Sequence, residues 1–160
     1  MHMLTEPLEC RKLTAEWKQA LLVFLAALET TNDAEYFHPH AFTDDALEKV
    51  IRNARKDLYY ILAEGQKVLG YGMLRGWDEG YEIPSLGIAI HPEARSVGLG
   101  KVLMHFLHTA ARRRGDKKVR LKVKTDNHRA VQMYQGLGYS FESQEGPYLV
   151  GFLDLAGGHC

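Results

Sequence analysis

The sequence predicts an α/β domain built on a mixed sheet. Three observations carry that expectation: helical spacing of apolar residues in the first quarter, a block of strand-like segments from Leu58, and strands alternating with helices from Leu86 onward. At 160 residues the chain fits one domain, 1–160, with no repeat and no Pro/Gly/Ser-rich linker to divide it.

Residues Glu9 to Leu13 open with a short strand. Trp17, Ala20, Leu21, Phe24, Leu25 and Leu28 then recur at helical spacing behind Thr14, a candidate N-cap. Thr43-Asp44-Asp45 caps a second helix carrying Leu47, Val50 and Ile51. Two strands, Leu58 to Ala63 and Val68 to Leu74, flank the hairpin signal Glu64-Gly65-Gln66-Lys67, and Trp77-Asp78-Glu79-Gly80 makes another turn.

In the next strand Leu86, Ile88 and Ile90 face one way while Gly87 and Ala89 face the other. The helix after it places Leu99, Val102, Leu103, Phe106, Leu107, Ala110 and Ala111 on its inner stripe and stops at Arg112-Arg113-Arg114-Gly115. Lys118 to Lys124 alternates basic and apolar residues, as a half-buried strand does. A helix from Asn127 to Leu137 and two strands, Tyr139 to Glu142 and Tyr148 to Leu153, complete the order β-α-α-β-β-β-α-β-α-β-β, about seven strands.

Charge excludes some function classes. Lys plus Arg and Asp plus Glu are both 20, so no global field holds the chain on nucleic acid or an anionic membrane. The basic run Arg112 to Lys124 lacks interleaved aromatics for base stacking. The longest apolar run, Ala20 to Leu28, is about half a membrane span. Two cysteines, Cys10 and Cys160, have no C-x-x-C partner, and no secretion signal is evident. A cytoplasmic protein follows as the expectation. His38-x-His40 and His105/His108 lack the Cys or carboxylate partners of a metal site, so no metal is expected.

The chemistry concentrates between Ile88 and Lys101. An apolar strand passes through His91-Pro92 into Arg95-Ser96-Val97-Gly98-Leu99-Gly100-Lys101 and a helix. Gly98 and Gly100 open space beside backbone N–H groups at the positive end of a helix, an arrangement suited to phosphate. A dinucleotide fingerprint needs a third Gly where Leu103 stands, and a P-loop needs Ser or Thr where Val102 stands.

Arg95-x-x-Gly98-x-Gly100 resembles the acyl-CoA loop of the GNAT superfamily of N-acetyltransferases. Asn127-x-x-Ala130-x-x-x-Tyr134-x-x-x-Gly138-Tyr139 is similar to that family's second signature. The resemblance covers a coenzyme A-binding core of about 58–153 and implies acetyl-CoA as co-substrate. It implies that backbone amides of Val97, Gly98, Leu99, Gly100 and Lys101 take the pyrophosphate, with Arg95 lining the loop and Ser96 among the cofactor-binding residues. Main-chain groups of Ile88 and Ile90, with Asn127, would hold the pantetheine arm, and the Ile90 N–H would polarise the thioester carbonyl. Tyr134 would protonate the leaving thiolate. No Cys lies in either motif, which favours direct attack over an acetyl-enzyme.

The family's usual general-base position holds Pro84-Ser85; the nearest carboxylates are Glu79 and Glu82, and Glu82 is the candidate. Residues Glu29 to Glu48 contain six acids and no Lys or Arg around His38 and His40, the candidate acceptor-binding pair. The expected reaction is acetylation of a small-molecule primary amine such as an amino sugar, polyamine or amino-acid derivative. A protein N-terminus or lysine is the alternative acceptor, and a non-catalytic acyl-CoA-binding regulatory module is the alternative class. Exposed strands at the sheet's end are compatible with a homodimer.

Overall fold

The computed structural model describes residues 6–31 and 36–155. Asp33 and Glu35 of the acidic stretch and the tail ending in Cys160 lie outside them. The strands are β1 (Leu8–Lys12), β2 (Leu58–Glu64), β3 (Lys67–Arg75), β4 (Ser85–Ile90), β5 (Lys118–Lys124), β6 (Ser140–Glu145) and β7 (Tyr148–Asp154). Four helices are described: α1 (Lys18–Glu29), α2 (Asp44–Asn53), α3 (Leu99–Arg113) and α4 (His128–Gly136). Element order matches the sequence expectation throughout.

The seven strands form one sheet in the order β1-β2-β3-β4-β5-β7-β6. Every neighbouring pair is antiparallel except β4 and β5, which are parallel. One face packs against α1 and α2 through Leu21, Phe24, Leu25 and Leu47, meeting Tyr71 and Met73 of β3. The other face takes α3 and α4, with Leu103 and Leu107 set against Leu74, Leu86 and Val119. Strand alternation sorts β4 between the two cores: Leu86, Ile88 and Ile90 join the α3 side and Ala89 the α1 side.

The hairpin of β2 and β3 turns at Gly65, whose φ of 61° suits a residue without a Cβ. Helix α3 comes close to the sheet over Gly72 of β3. A Cβ there would meet Leu103 and Leu107 side-chain carbons at 3.0 Å, so the glycine lets α3 settle on the sheet.

Two local expectations are corrected. Thr14 makes no side-chain cap; a 3-10 turn at Ala15–Trp17 intervenes and α1 starts at Lys18. By contrast the Thr43 side chain accepts from the Ala46 N–H at 3.2 Å and caps α2. On α3, Val102 and Phe106 are 52% and 38% exposed, so neither belongs to the core. Met104 and His108 are buried instead, because the sheet meets a face centred on Leu103, Leu107 and Ala111, and Val102 and Phe106 sit on its rim. Phe106 packs edge-on against Tyr60, with ring centroids 4.8 Å apart.

Candidate active site

The site begins where the parallel ladder stops. Ser85 of β4 pairs with Arg120 of β5, and the Arg120 N–H donates to the Pro84 carbonyl at 2.9 Å. Beyond that rung β4 stays paired with β3 as far as Ile90, but pairs no further with β5. The His91 N–H donates to Leu69 on the β3 side at 2.8 Å. Alternation therefore turns the N–H and C=O groups of Leu86, Ile88 and Ile90 toward the opening between β4 and β5. Arg95 Nη2 donates to the Ile90 carbonyl at 3.3 Å, placing its guanidinium at the mouth of that opening.

At the C-terminal end of β4 the chain makes a 3-10 turn, Pro92–Ala94, held by the Glu93 N–H donating to His91 Nδ1 at 3.1 Å. Ser96 and Gly98 then adopt left-handed backbone, φ 67° and 88°. For Ser96 this conformation is uncommon, and such strain collects at functional loops. The first intrahelical bond of α3 runs from the Val102 N–H to the Gly98 carbonyl at 3.1 Å, and no side chain caps Gly98. The preceding N–H groups of Leu99, Gly100 and Lys101 thus point out of the helix start. A Cβ on Gly98 would meet nothing within 4 Å, and one on Gly100 only Ile90 Cγ1 at 3.9 Å. Internal packing does not call for glycine at position 100. A phosphate drawn close to these amides does, so the residues fit the pyrophosphate of coenzyme A.

Tyr134 of α4 packs into the same apolar cluster as Ile88, Ile90 and Leu99. Its ring lies edge-on to Tyr139, centroids 5.8 Å apart, and the Tyr139 hydroxyl is 2.8 Å from His108 Nε2. Burial pushes the Tyr134 phenol up to about 12, so it keeps its proton at neutral pH. The Asn127 side chain serves its own helix, since its Oδ1 accepts from the Ala130 N–H at 3.4 Å and caps α4.

At the N-terminal end of β4 lies an open cleft of about 860 Å³, lined by Arg75, Glu79, Glu82, Ser85, Arg120 and Lys122 among others. Glu82 is exposed there, on the connection between β3 and β4. The structure thus sets Glu82 at one end of β4 and the Gly98 loop at the other. It does not bring His38 and His40 into the cleft lining. His40 is tied to β3, with Nε2 2.8 Å from the Tyr71 hydroxyl. His38 is exposed and stacks on Phe42 at 5.0 Å. Arg75 Nη1 joins the two regions by donating to the Pro39 carbonyl at 2.6 Å.

Two acids of the acidic stretch, Asp44 and Glu48, are met by cations from outside it. Lys18 Nζ lies 3.2 Å from Asp44 and 2.9 Å from Glu48, and Arg52 reaches Glu48 at 3.1 Å. Much of the basic run is occupied too. Arg114 sits over the Trp77 ring at 4.9 Å and donates to the Lys56 carbonyl at 2.7 Å. Among the described residues no group of three or more His, Cys, Asp or Glu could hold a metal ion, and no helix is long and apolar enough to cross a membrane.

The site is thus a mixed sheet opened between two parallel strands, with a glycine-rich loop and an uncapped helix start at the mouth. The family model described as acetyltransferase (GNAT) family matches residues 24–139. The chain belongs to the GNAT acetyltransferase family. The mycothiol acetyltransferase of Mycobacterium marinum is 38% identical over 84 residues, 46% of this chain but 26% of that protein. An acetyltransferase of Sodalis glossinidius is 29% identical over 99 residues, covering 62% of this chain and 67% of the relative. The chain thus spans about a quarter of the first relative and two thirds of the second.

Among solved structures, the PaiA N-acetyltransferase of Thermoplasma acidophilum in complex with coenzyme A superposes with a TM-score of 0.76 at 17% identity, covering 92% of this chain and 99% of that one. The ribosomal-protein-S5-alanine acetyltransferase of Vibrio fischeri gives a TM-score of 0.77 at 8% identity, covering 97% and 98%. A spermidine N-acetyltransferase chimera from Vibrio cholerae gives 0.72 at 18%, covering 93% and 96%. One fold therefore serves proteins named for protein and polyamine acceptors alike, and it leaves the acceptor open.

The row Arg75, Ser85 and Arg120 escaped the sequence reading. The three residues come from three strands, and only register brings them together.

Proposed function

We propose that this chain transfers the acetyl group of acetyl-CoA to the primary amine of a small molecule, by direct attack within a ternary complex. The observation that carries the reading is the break in the β4–β5 ladder, flanked by the Gly98 loop at one end of β4 and the charged cleft at the other. Two substrates can enter from the two ends and meet at the break.

The outward N–H groups of Leu99, Gly100 and Lys101 bind the pyrophosphate, with Arg95 and Ser96 shaping the loop and Val97, 72% exposed, bordering it. Ile88 and Ile90 offer main-chain groups to the pantetheine arm, and Asn127 borders it. Bound acetyl-CoA supplies an acyl group activated as a thioester. The Ile90 N–H donates to the carbonyl oxygen as negative charge develops there. Glu82 accepts the amine's proton, directly or through water. Tyr134 gives its proton to the sulfur as the carbon–sulfur bond breaks, and neutrality at physiological pH suits it to that role. His38 and His40 border the acceptor's approach through the loop that Arg75 holds.

The test follows free thiol release from acetyl-CoA with a panel of amines and with peptides carrying a free N-terminus or lysine. Turnover of small amines with a kcat/KM above that of peptides supports the reading. Acetylation of peptides alone moves the acceptor to protein. Stoichiometric binding of acetyl-CoA without turnover of any amine leaves a binding module.

A further inference from the structure

The cleft at the N-terminal end of β4 carries more detail than an amine-binding pocket requires. Strand register aligns Arg75 with Ser85, Ser85 with Arg120, and Arg120 with Phe152. Residues in register share a face, so one row crosses β3, β4, β5 and β7, and all four members line the cleft. Two arginines flank a serine hydroxyl from adjacent strands, about 10 Å apart across two strand spacings. Lys122, two residues along β5, adds a third cation on that face.

Their partners leave positive charge over. Glu145 is shared by Arg120 at 3.2 Å and Lys122 at 2.9 Å, one carboxylate for two cations. Arg75 donates to the neutral Pro39 carbonyl. The remaining acids of the lining, Glu79 and Glu82, come from the segment joining β3 to β4. The row also coincides with the last rung of the β4–β5 ladder, so anything held over Ser85 sits beside the break.

We propose that the acceptor amine also carries an anionic oxygen group, carboxylate or phosphate, held over Ser85 between Arg75 and Arg120 so that its amine reaches along β4 into the break, with Glu79 and Glu82 bordering the approach. Guanidinium forks match such groups in geometry as well as charge, and a serine hydroxyl donates a further hydrogen bond. A polyamine would bring a second cation against two arginines, which disfavours it. The inference rests on the acetyltransferase reading above and narrows its acceptor to zwitterionic amines.

The experiment compares matched pairs by thiol release: L-phenylalanine with phenethylamine, L-lysine with 1,5-diaminopentane, and O-phosphoethanolamine with ethanolamine. At least tenfold higher kcat/KM for the anion-bearing member is expected in one class of pair, and which class responds separates carboxylate from phosphate. Arg120→Gln should raise KM for the preferred member at least tenfold and should not raise KM for its partner lacking the anion, with Arg120→Lys recovering part of the loss. Ser85→Ala, which keeps every charge, should raise the same KM severalfold. Equal or better use of the members lacking the anion overturns the clamp but leaves amine acetylation standing. No turnover of any amine by a protein that binds acetyl-CoA overturns both.

Discussion

The hydroxyl of Tyr71, a fully buried residue of β3, donates to Nε2 of His40 at 2.8 Å. The opposite ring nitrogen of His40 donates to the Ala41 carbonyl, also at 2.8 Å, so the neutral tautomer with a proton on Nδ1 satisfies both bonds. Together with Arg75 and the Pro39 carbonyl, this pair fastens the segment before α2 to the strand that leads into the cleft. Tyr71→Phe should keep the ring packing and strand the imidazole. A loss of about 1–3 kcal/mol is expected in urea denaturation. His38→Ala and His40→Ala should raise the acceptor's KM or lower turnover without changing acetyl-CoA affinity, as measured by varying each substrate in turn.

A carboxylate placed in the pyrophosphate loop should defeat cofactor binding. Gly100 has room for a side chain within the fold, so Gly100→Glu is expected to remain folded by circular dichroism. Its bulk and charge should weaken acetyl-CoA binding at least tenfold in calorimetric titration. Unchanged affinity would remove this loop from the coenzyme A site.

Loss of the Tyr134 proton should slow chemistry and spare binding. Tyr134→Phe keeps the edge-on contact with Tyr139. Turnover is expected to fall by about 10²–10⁴ with acetyl-CoA affinity nearly unchanged. Pre-steady-state measurement of the acetyl-transfer step checks this where product release limits kcat.

Acid should destabilise the protein through His108. The ring is 2% exposed and bonded to Tyr139, and burial pushes its protonation down to about 4 from an ordinary 6.5. The folded state therefore binds fewer protons than the unfolded state between those values. Stability is full above about 6.5 and falls as pH drops toward 4, with a loss on the order of 1–2 kcal/mol at pH 5 from this group. His40, also shifted down by burial, acts in the same direction. Denaturation curves at pH 7 and pH 5 should show a smaller difference in His108→Gln than in the unaltered chain.

Gly72 should resist enlargement. Its missing Cβ would stand 3.0 Å from Leu103 and Leu107. Gly72→Val is expected to cost about 1–3 kcal/mol by overpacking, since α3 must lift from β3. A thermal unfolding midpoint unchanged from that of the parent would refute the close approach.

Element order, the Thr43 cap, the turn at Gly65 and the Gly98 loop were legible in the sequence, because each depends on neighbours a few residues away. A 2.0 or 3.6 period, a capping hydroxyl and a glycine at positive φ are local facts. The inner face of α3 was legible only to within one position. The periodicity admitted Val102 and Phe106, and contact with the sheet selected Met104 and His108 instead.

Tertiary structure alone decided the charge pattern around the cleft at the N-terminal end of β4. The acids from Glu29 to Glu48 look exposed along the chain, yet Lys18 from the previous helix reaches Asp44 and Glu48. Arg120 and Lys122 read as the solvent face of an ordinary strand. Register with Ser85 and Arg75 turned that face into one wall of a cleft. The sequence thus determined the family, the strand and helix order and the Gly98 loop, all set by short-range pattern. Which charged residues line the cleft beside Ser85 was settled by pairing between strands up to 77 residues apart, from Arg75 to Phe152, and no periodicity within one segment encodes that register.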